Sequence, residues 1–90
     1  MIYVMSNHVL ERAQERGISL LTIDAILENP HQIIADESGE TGQQVYQSIV
    51  SFEEKGDYLV RVFVNTAKAP PVVKSAYKTS KISKYYEGEI

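Results

Sequence analysis

The sequence predicts one α+β domain over residues 1–90, in which two N-terminal helices pack on one face of a four-stranded antiparallel meander sheet. Two observations support this fold class. Apolar residues recur at helical spacing before Pro30, whereas Val, Ile, Tyr and Phe follow strand spacing after it. Turn residues divide the second half of the chain into short segments, so consecutive strands should pair as antiparallel neighbours.

Two short helices are predicted before Pro30. Ser6 or Asn7 can cap the first helix, and Gly17 can end it in a left-handed conformation. The second helix covers residues 20–28 and stops because the residue before a proline is pushed out of the helical region. A DNA-binding helix-turn-helix is disfavoured, since the second helix carries acidic residues and neither Lys nor Arg.

Four strands are predicted after the helices. They cover residues 32–36, 44–52, 58–65 and 72 to 78 or 79. In the third strand, Val60, Val62 and Val64 share a face that should contact the helices, which places Arg61 on the opposite face. We call the sheet face away from the helices the back face. We expect it to be open to solvent, a partner or a substrate.

The last strand cannot be oriented from its alternation alone. Lys74 and Lys78 fall in the same row as Val72 and Ala76, and lysine side chains are costly beneath helices. A β-bulge or a twisted strand end would resolve this conflict, and the sequence does not distinguish between them.

Charge is divided unevenly along the chain, although the net charge is −3. Residues 1–60 carry three Lys or Arg and ten Asp or Glu, whereas residues 61–84 carry six Lys or Arg and no acidic residue. Such a division can create a local positive field that attracts nucleic acid. Two other interpretations stay open: a basic edge strand that prevents aggregation, and a homodimer that pairs the basic strand with the acidic half of a second copy.

Composition excludes several classes of protein and site. The chain has no cysteine, which excludes disulfides, thiolate nucleophiles and the common zinc sites. His8 has no second histidine at ligand spacing, so we expect neither a metal nor another cofactor. No apolar run approaches the roughly 20 residues that span a bilayer. Residues 1–5 are too short for a signal-peptide core, so we expect a cytoplasmic protein without membrane contact.

The first helix carries candidate functional groups on one face. His8 and Arg12 stand four residues apart, and the apolar stripe of this helix is too narrow to cover them. For Glu15 and Arg16, a solvated helix held by Glu–Arg pairs is the better interpretation. His31, the other histidine, lies at a helix exit and is interpreted as structural.

Hydroxyl groups and lysines alternate along the end of the last strand and the residues after it. Lysines bind phosphates as point charges, hydroxyls donate hydrogen bonds to phosphate oxygens, and tyrosine rings stack on unpaired bases. The candidate RNA-binding residues are therefore Lys78, Lys81, Lys84 and Tyr85. The alternative for the tyrosine is an aromatic ring packed over the core.

The order and spacing of several motifs resemble a known bacterial family. These motifs are the start His8-x-x-Glu11-Arg12-x-x-Glu15-Arg16-Gly17-Ile18-Ser19, the stop Asn29-Pro30 and the ending Ala76-Tyr77-Lys78-Thr79-Ser80-Lys81-x-x-Lys84-Tyr85. Together they resemble the family called domain of unknown function 4258, which is similar to the RelE- and BrnT-like toxins. The resemblance implies a RelE-like, microbial ribonuclease-like fold, metal-independent endoribonuclease activity and an antitoxin protein as partner.

Metal-independent RNA cleavage needs a base near the ribose 2′-hydroxyl, a cation for the growing charge on phosphorus and an acid for the leaving oxygen. His8 can act as acid or base at neutral pH, and Arg12 and Arg61 are permanent cations whose fork suits phosphate. Tyr77 and Thr79 could orient the phosphate. We therefore expect these five residues to form one catalytic site. The alternative function is a non-catalytic RNA- or protein-binding module with the same basic face.

Overall fold

The computed structural model of the chain describes residues 1–88. In chain order, the elements are β1 (Val4–Met5), α1 (Asn7–Glu15), α2 (Leu20–Glu28), β2 (Gln32–Ala35), β3 (Gln43–Phe52), β4 (Gly56–Asn65), β5 (Val72–Thr79) and α3 (Ile82–Tyr85). The five strands form one mixed sheet in the order β1-β5-β4-β3-β2. Within residues 1–88, no helix has the length and apolar character needed to cross a membrane. The fold class is therefore α+β, as predicted.

The sheet differs from the predicted four-stranded antiparallel sheet by one strand. The strands β2 to β5 pair as antiparallel neighbours in chain order. β1 adds a fifth strand that runs parallel to β5, with Val4 opposite Val72 and Met5 opposite Val73. A strand of two residues has no periodicity to read, which is why the sequence did not predict it.

Both predicted helices form, and their ends follow local chemistry. The Ser6 hydroxyl accepts the backbone N–H of Val9 at 3.2 Å, so Ser6 is the cap of α1. Gly17 follows this helix with a φ of 77°, the left-handed conformation that the sequence predicted. In the same way, the Ser19 hydroxyl accepts the N–H of Thr22 at 3.1 Å and begins α2.

One core lies between the two long helices and the sheet. From α2, Ile23, Ile26 and Leu27 are buried against the valine row of β4. The row consists of Val60, Val62 and Val64, all fully buried. The prediction that these valines face the helices is therefore confirmed.

The back face is covered, so the prediction of an open back face is wrong. Residues 81–88, which we call the C-terminal segment, lie over it. The side chain of Gln47 donates to the carbonyl of Tyr85 at 3.2 Å, and Gln32 exchanges two hydrogen bonds with the backbone of Glu87. Arg61 and Gln47 are consequently buried beneath this segment. No local pattern in the sequence reports such long-range packing.

A β-bulge in β5 resolves the orientation of the last strand. Val64 pairs with Val73 and Phe63 pairs with Ser75, which leaves Lys74 as an extra residue between them. The bulge lets Val73 and Ala76 both reach the helix-side core, although they are three residues apart. Of the two explanations left open by the sequence, the structure therefore supports the bulge.

We expect Ile23→Ala to lower the free energy of unfolding by about 2–5 kcal/mol, because it leaves a cavity in the core. Ile33→Ala is the matched control, since Ile33 lies on β2 with 47% of its surface exposed. The control should change stability by no more than about 0.5 kcal/mol. Urea unfolding of both variants measures the difference, and equal losses would contradict this description of the core.

The N-terminal residues are tied to α2 through Tyr3, whose hydroxyl donates to Asp24. Burial, and then the neighbouring Asp24 carboxylate, raise the pKa of Tyr3 to about 12. Because the raised pKa belongs to the folded state, this stabilisation is complete below about pH 10 and is lost as the pH rises toward 12. Tyr3→Phe should therefore lose less stability than the wild type over this alkaline range. Thermal melts across it measure the loss, and identical slopes would contradict the assignment.

Candidate functional site

A groove lies between α1 and the outer edge of β5, and we call it the α1–β5 groove. It has a volume of about 260 Å³ and is lined by His8, Val9, Arg12, Arg16, Lys74, Ser75 and Ala76. His8, Arg12 and Arg16 are spaced four residues apart, so they share one face of the helix. The groove thus brings an imidazole together with three cationic side chains.

The sequence of α1 explains why this face stays free. Its inward side carries Ala13, which is fully buried, and Val9, which packs against the core. These two residues form a narrow apolar stripe, so the neighbouring row of helix residues remains at the surface. His8, Arg12 and Arg16 are all exposed.

The outer edge of β5 forms the other wall of the groove. β1 pairs with Val72 and Val73 alone, so β5 has no strand neighbour on this side from residue 74 onward within the described chain. The Arg16 guanidinium crosses to this edge and donates from Nη1 to the carbonyl of Ala76 at 2.7 Å. This bond occupies an edge carbonyl and holds the cation in the groove.

Arg16 does not form the Glu–Arg pair that the sequence suggested. Among residues 1–88, no carboxylate lies within 4 Å of a charged nitrogen of His8, Arg12 or Arg16. Lys74 does pair with Glu40 at 3.6 Å, but both side chains are partly exposed and such pairs are weak. No carboxylate in the described part of the chain lines the groove, so its positive charge is largely uncompensated and it can accept an anion such as a phosphate.

A second cationic cluster lies on the back face around Arg61. Its Nε donates to the Gln47 side chain and its Nη1 donates to the Tyr77 hydroxyl, both at 2.9 Å. The ring of Tyr85 covers the guanidinium at 4.5 Å, and Phe63 lies at 5.4 Å. We call these residues the Arg61 cluster. Aromatic faces attract the cation and offset part of the cost of burying it.

The sheet separates the Arg61 cluster from the α1–β5 groove. Arg61 lies between Val60 and Val62 in β4, so it points away from the helices, whereas His8 and Arg12 lie on α1 at the helix side. The prediction that one site holds His8, Arg12, Arg61, Tyr77 and Thr79 therefore does not match the geometry. Strand alternation correctly predicted which face of the sheet Arg61 lies on. No sequence pattern predicted that His8 and Arg12 of α1 lie on the other side of the sheet.

The two hydroxyl residues of that predicted site have local partners. Tyr77 lies opposite Arg61 and accepts its Nη1 hydrogen bond. The hydroxyl of Thr79 accepts the backbone N–H of Lys81 at 3.1 Å, at the turn into α3. Both therefore help to build the back face and the C-terminal segment, and neither lines the groove.

The predicted RNA-binding residues also divide between two surfaces. Lys78 pairs with Val60 and so points to the helix side, where its ammonium lies 4.3 Å from the ring of Phe52. A side chain at Gly17 would begin 2.8 Å from this ammonium. Lys81 and Lys84 are exposed on the C-terminal segment, and the ring of Tyr85 covers Arg61. The packed-aromatic alternative for Tyr85 is thus the one observed.

Sequence reasoning missed two residues of the groove, Arg16 and Lys74. The spacing of Arg16 from His8 and Arg12 was sufficient to find it, because all three follow one helical row. Lys74 gave no such signal, since its position at the edge depends on the bulge. Within residues 1–88, no group of three His, Cys, Asp or Glu side chains is placed to hold a metal ion.

Comparison with known families gives a match over most of the chain. The family model described as "Domain of unknown function (DUF4258)" matches residues 5–78, a range that includes every lining residue of the groove. The searches of curated proteins and of solved structures found no match. A similarity to RelE- and BrnT-like toxins and a RelE-like fold therefore stay predictions.

The two clusters should respond differently to loss of their arginine. Arg61→Met should lower the free energy of unfolding by about 1–3 kcal/mol, because the buried side-chain oxygen of Gln47 loses the Arg61 Nε donor. Arg12→Met removes an exposed cation and should change stability by no more than about 0.5 kcal/mol. Urea unfolding compares the two variants. A larger loss for Arg12→Met would assign the groove a structural role instead.

Proposed function

Since the chain belongs to the DUF4258 family of domains of unknown function, we propose its function from its own groove: metal-independent cleavage of RNA by a toxin-type endoribonuclease. The observation that supports this proposal is that His8 shares the α1–β5 groove with Arg12, Arg16 and Lys74. An acid–base group beside several cations meets the needs of a reaction that moves protons at a phosphate. The motifs resemble the DUF4258 family, and the similarity of that family to the RelE- and BrnT-like toxins, expected from the sequence, supports the same proposal and implies an antitoxin partner.

The binding step uses the arginine pair. Arg12 and Arg16 are one helical turn apart and present planar forks that can donate two hydrogen bonds to phosphate oxygens. Arg16 is held at the edge of β5 by its bond to Ala76, which reduces the side-chain entropy lost on binding. Lys74 contributes a further positive charge when the phosphate replaces Glu40 as its partner.

The chemical step uses His8. Neutral imidazole takes the proton of the ribose 2′-hydroxyl, and the oxygen attacks the phosphorus to form a new bond while the bond to the 5′-oxygen breaks. Arg12 and Arg16 stabilise the negative charge that grows on the non-bridging oxygens. The 5′-oxygen leaves with a proton from water, and the His8 imidazolium gives its proton to the hydroxide that remains. The products are a 2′,3′-cyclic phosphate and a 5′-hydroxyl.

A non-catalytic RNA-binding module is the second candidate function. One feature of the groove favours it: His8 is the one imidazole or carboxyl group among the described lining residues, whereas cleavage benefits from both an acid and a base. The same cations would then bind the RNA backbone without turnover. The two functions make the same prediction for binding and opposite predictions for cleavage.

His8→Ala should lower the rate of RNA cleavage by about 100-fold or more, the lower end of the range for general acid–base catalysis. His31→Ala is the matched control. The His31 ring accepts the backbone N–H of Ile49 at 3.0 Å, so its loss should affect stability rather than cleavage. Cleavage should continue in EDTA, because arginine side chains supply the stabilising charge.

The measurement is cleavage of a mixed RNA pool by each purified variant, with thermal melts as the control for folding. Cleavage that persists in folded His8→Ala would contradict the proposed mechanism. A folded wild type that binds RNA without cleaving it would favour the binding module.

A further inference from the structure

A second cavity adjoins the α1–β5 groove at the N-terminal end of α1. It has a volume of about 370 Å³ and is lined by Val4, Ser6, Val9, Val72, Val73 and Lys74. Val9 and Lys74 line both the cavity and the groove, so the two are direct neighbours. The volume lies within the range of about 300–1,000 Å³ that is usual for small-molecule sites.

The walls of this cavity differ chemically from those of the groove. Four valines give it an apolar lining, and one of them, Val4, leaves 49% of its surface exposed. Ser6 accepts the backbone N–H of Val9 as the helix cap, so its own hydroxyl proton remains free to donate. An apolar cavity that carries the Ser6 hydroxyl and the Lys74 side chain on its wall therefore opens beside a cationic groove.

We propose that this cavity is a nucleobase subsite, which holds an unpaired base while the groove holds a neighbouring phosphate. The inference rests on the proposed function for the phosphate contact, and it names the substrate class as single-stranded RNA. In a nucleic acid, each planar base with apolar faces lies one ribose away from a charged phosphate. The apolar cavity lies next to the cationic groove in the same way.

The cavity admits only a base that has left the helical stack. In duplex RNA the bases are paired and stacked inside the helix, whereas bases in single strands can turn outward and enter a protein pocket. The aliphatic walls contact the faces of any base, and the Ser6 hydroxyl can donate to a base carbonyl. The subsite thus favours unpaired RNA without reading a long sequence.

The direct test compares two strands that differ only in their bases. One is a short 2′-O-methyl uridine oligonucleotide, which cannot be cleaved through its 2′-oxygen, and the other is its abasic counterpart with the same number of phosphates. The wild type should bind the uridine strand about fivefold more tightly, the gain expected when about 40 Å² of apolar surface is removed from water. Arg12→Ala should weaken binding of both strands, because both use the phosphate contacts.

A matched pair of variants assigns the preference to the cavity. Val4→Asn replaces an exposed valine of the cavity wall with a polar side chain and should remove most of the preference for the uridine strand. Ile33→Asn is the control, because Ile33 is a β-branched residue with similar exposure on the far edge strand β2. The control should keep the wild-type preference, and thermal melts verify that both variants fold.

The outcomes separate the two proposals. Equal, Arg12-dependent binding of both strands would overturn the base subsite and leave the groove proposal intact. Binding of neither strand, or binding that ignores Arg12, would overturn both. If Val4→Asn keeps the preference for the uridine strand, the base subsite is also overturned, because another surface must then bind the base.

Discussion

The extra residue in β5 is the constraint on which the candidate site depends. Strict alternation would place Val73 and Ala76 on opposite faces of the sheet, yet both lie in the helix-side core. The bulge at Lys74 reconciles them, and it moves this lysine away from the core and into the groove wall. It also sets the register beyond it, so that Tyr77 lies opposite Arg61 on the back face.

Two cationic clusters with opposite physical character result from this arrangement. Arg61 is 9% exposed, its Nε and Nη1 donate to Gln47 and Tyr77, and aromatic rings cover it. Its charge is used to hold the C-terminal segment over the sheet. Arg12 and Arg16 are exposed, so binding an anion there costs them less desolvation and reorganisation. The groove is therefore the better candidate for a functional surface.

Local chemistry predicted much of this fold but less of its site. The cap at Ser6, the left-handed Gly17 and the valine row of β4 each follow from a short pattern, and the structure confirms them. The two-residue β1 and the one-turn α3 are too short to leave a pattern. Which residues share a site depends on how α1 docks on β5 and on where residues 81–88 return, and both are long-range events. Alternation assigned Arg61 to its face without revealing that the face is covered.

We propose that RNA contacts the α1–β5 groove and not the back face. Backbone amide chemical shifts, recorded by NMR while single-stranded RNA is added, test this claim most directly. We expect the shifts to change around His8, Arg12 and Arg16 and along the edge of β5, while those of Gln47 and Arg61 stay constant. Changes centred on Arg61 and the C-terminal segment, with no change in the shifts of α1, would contradict this proposal.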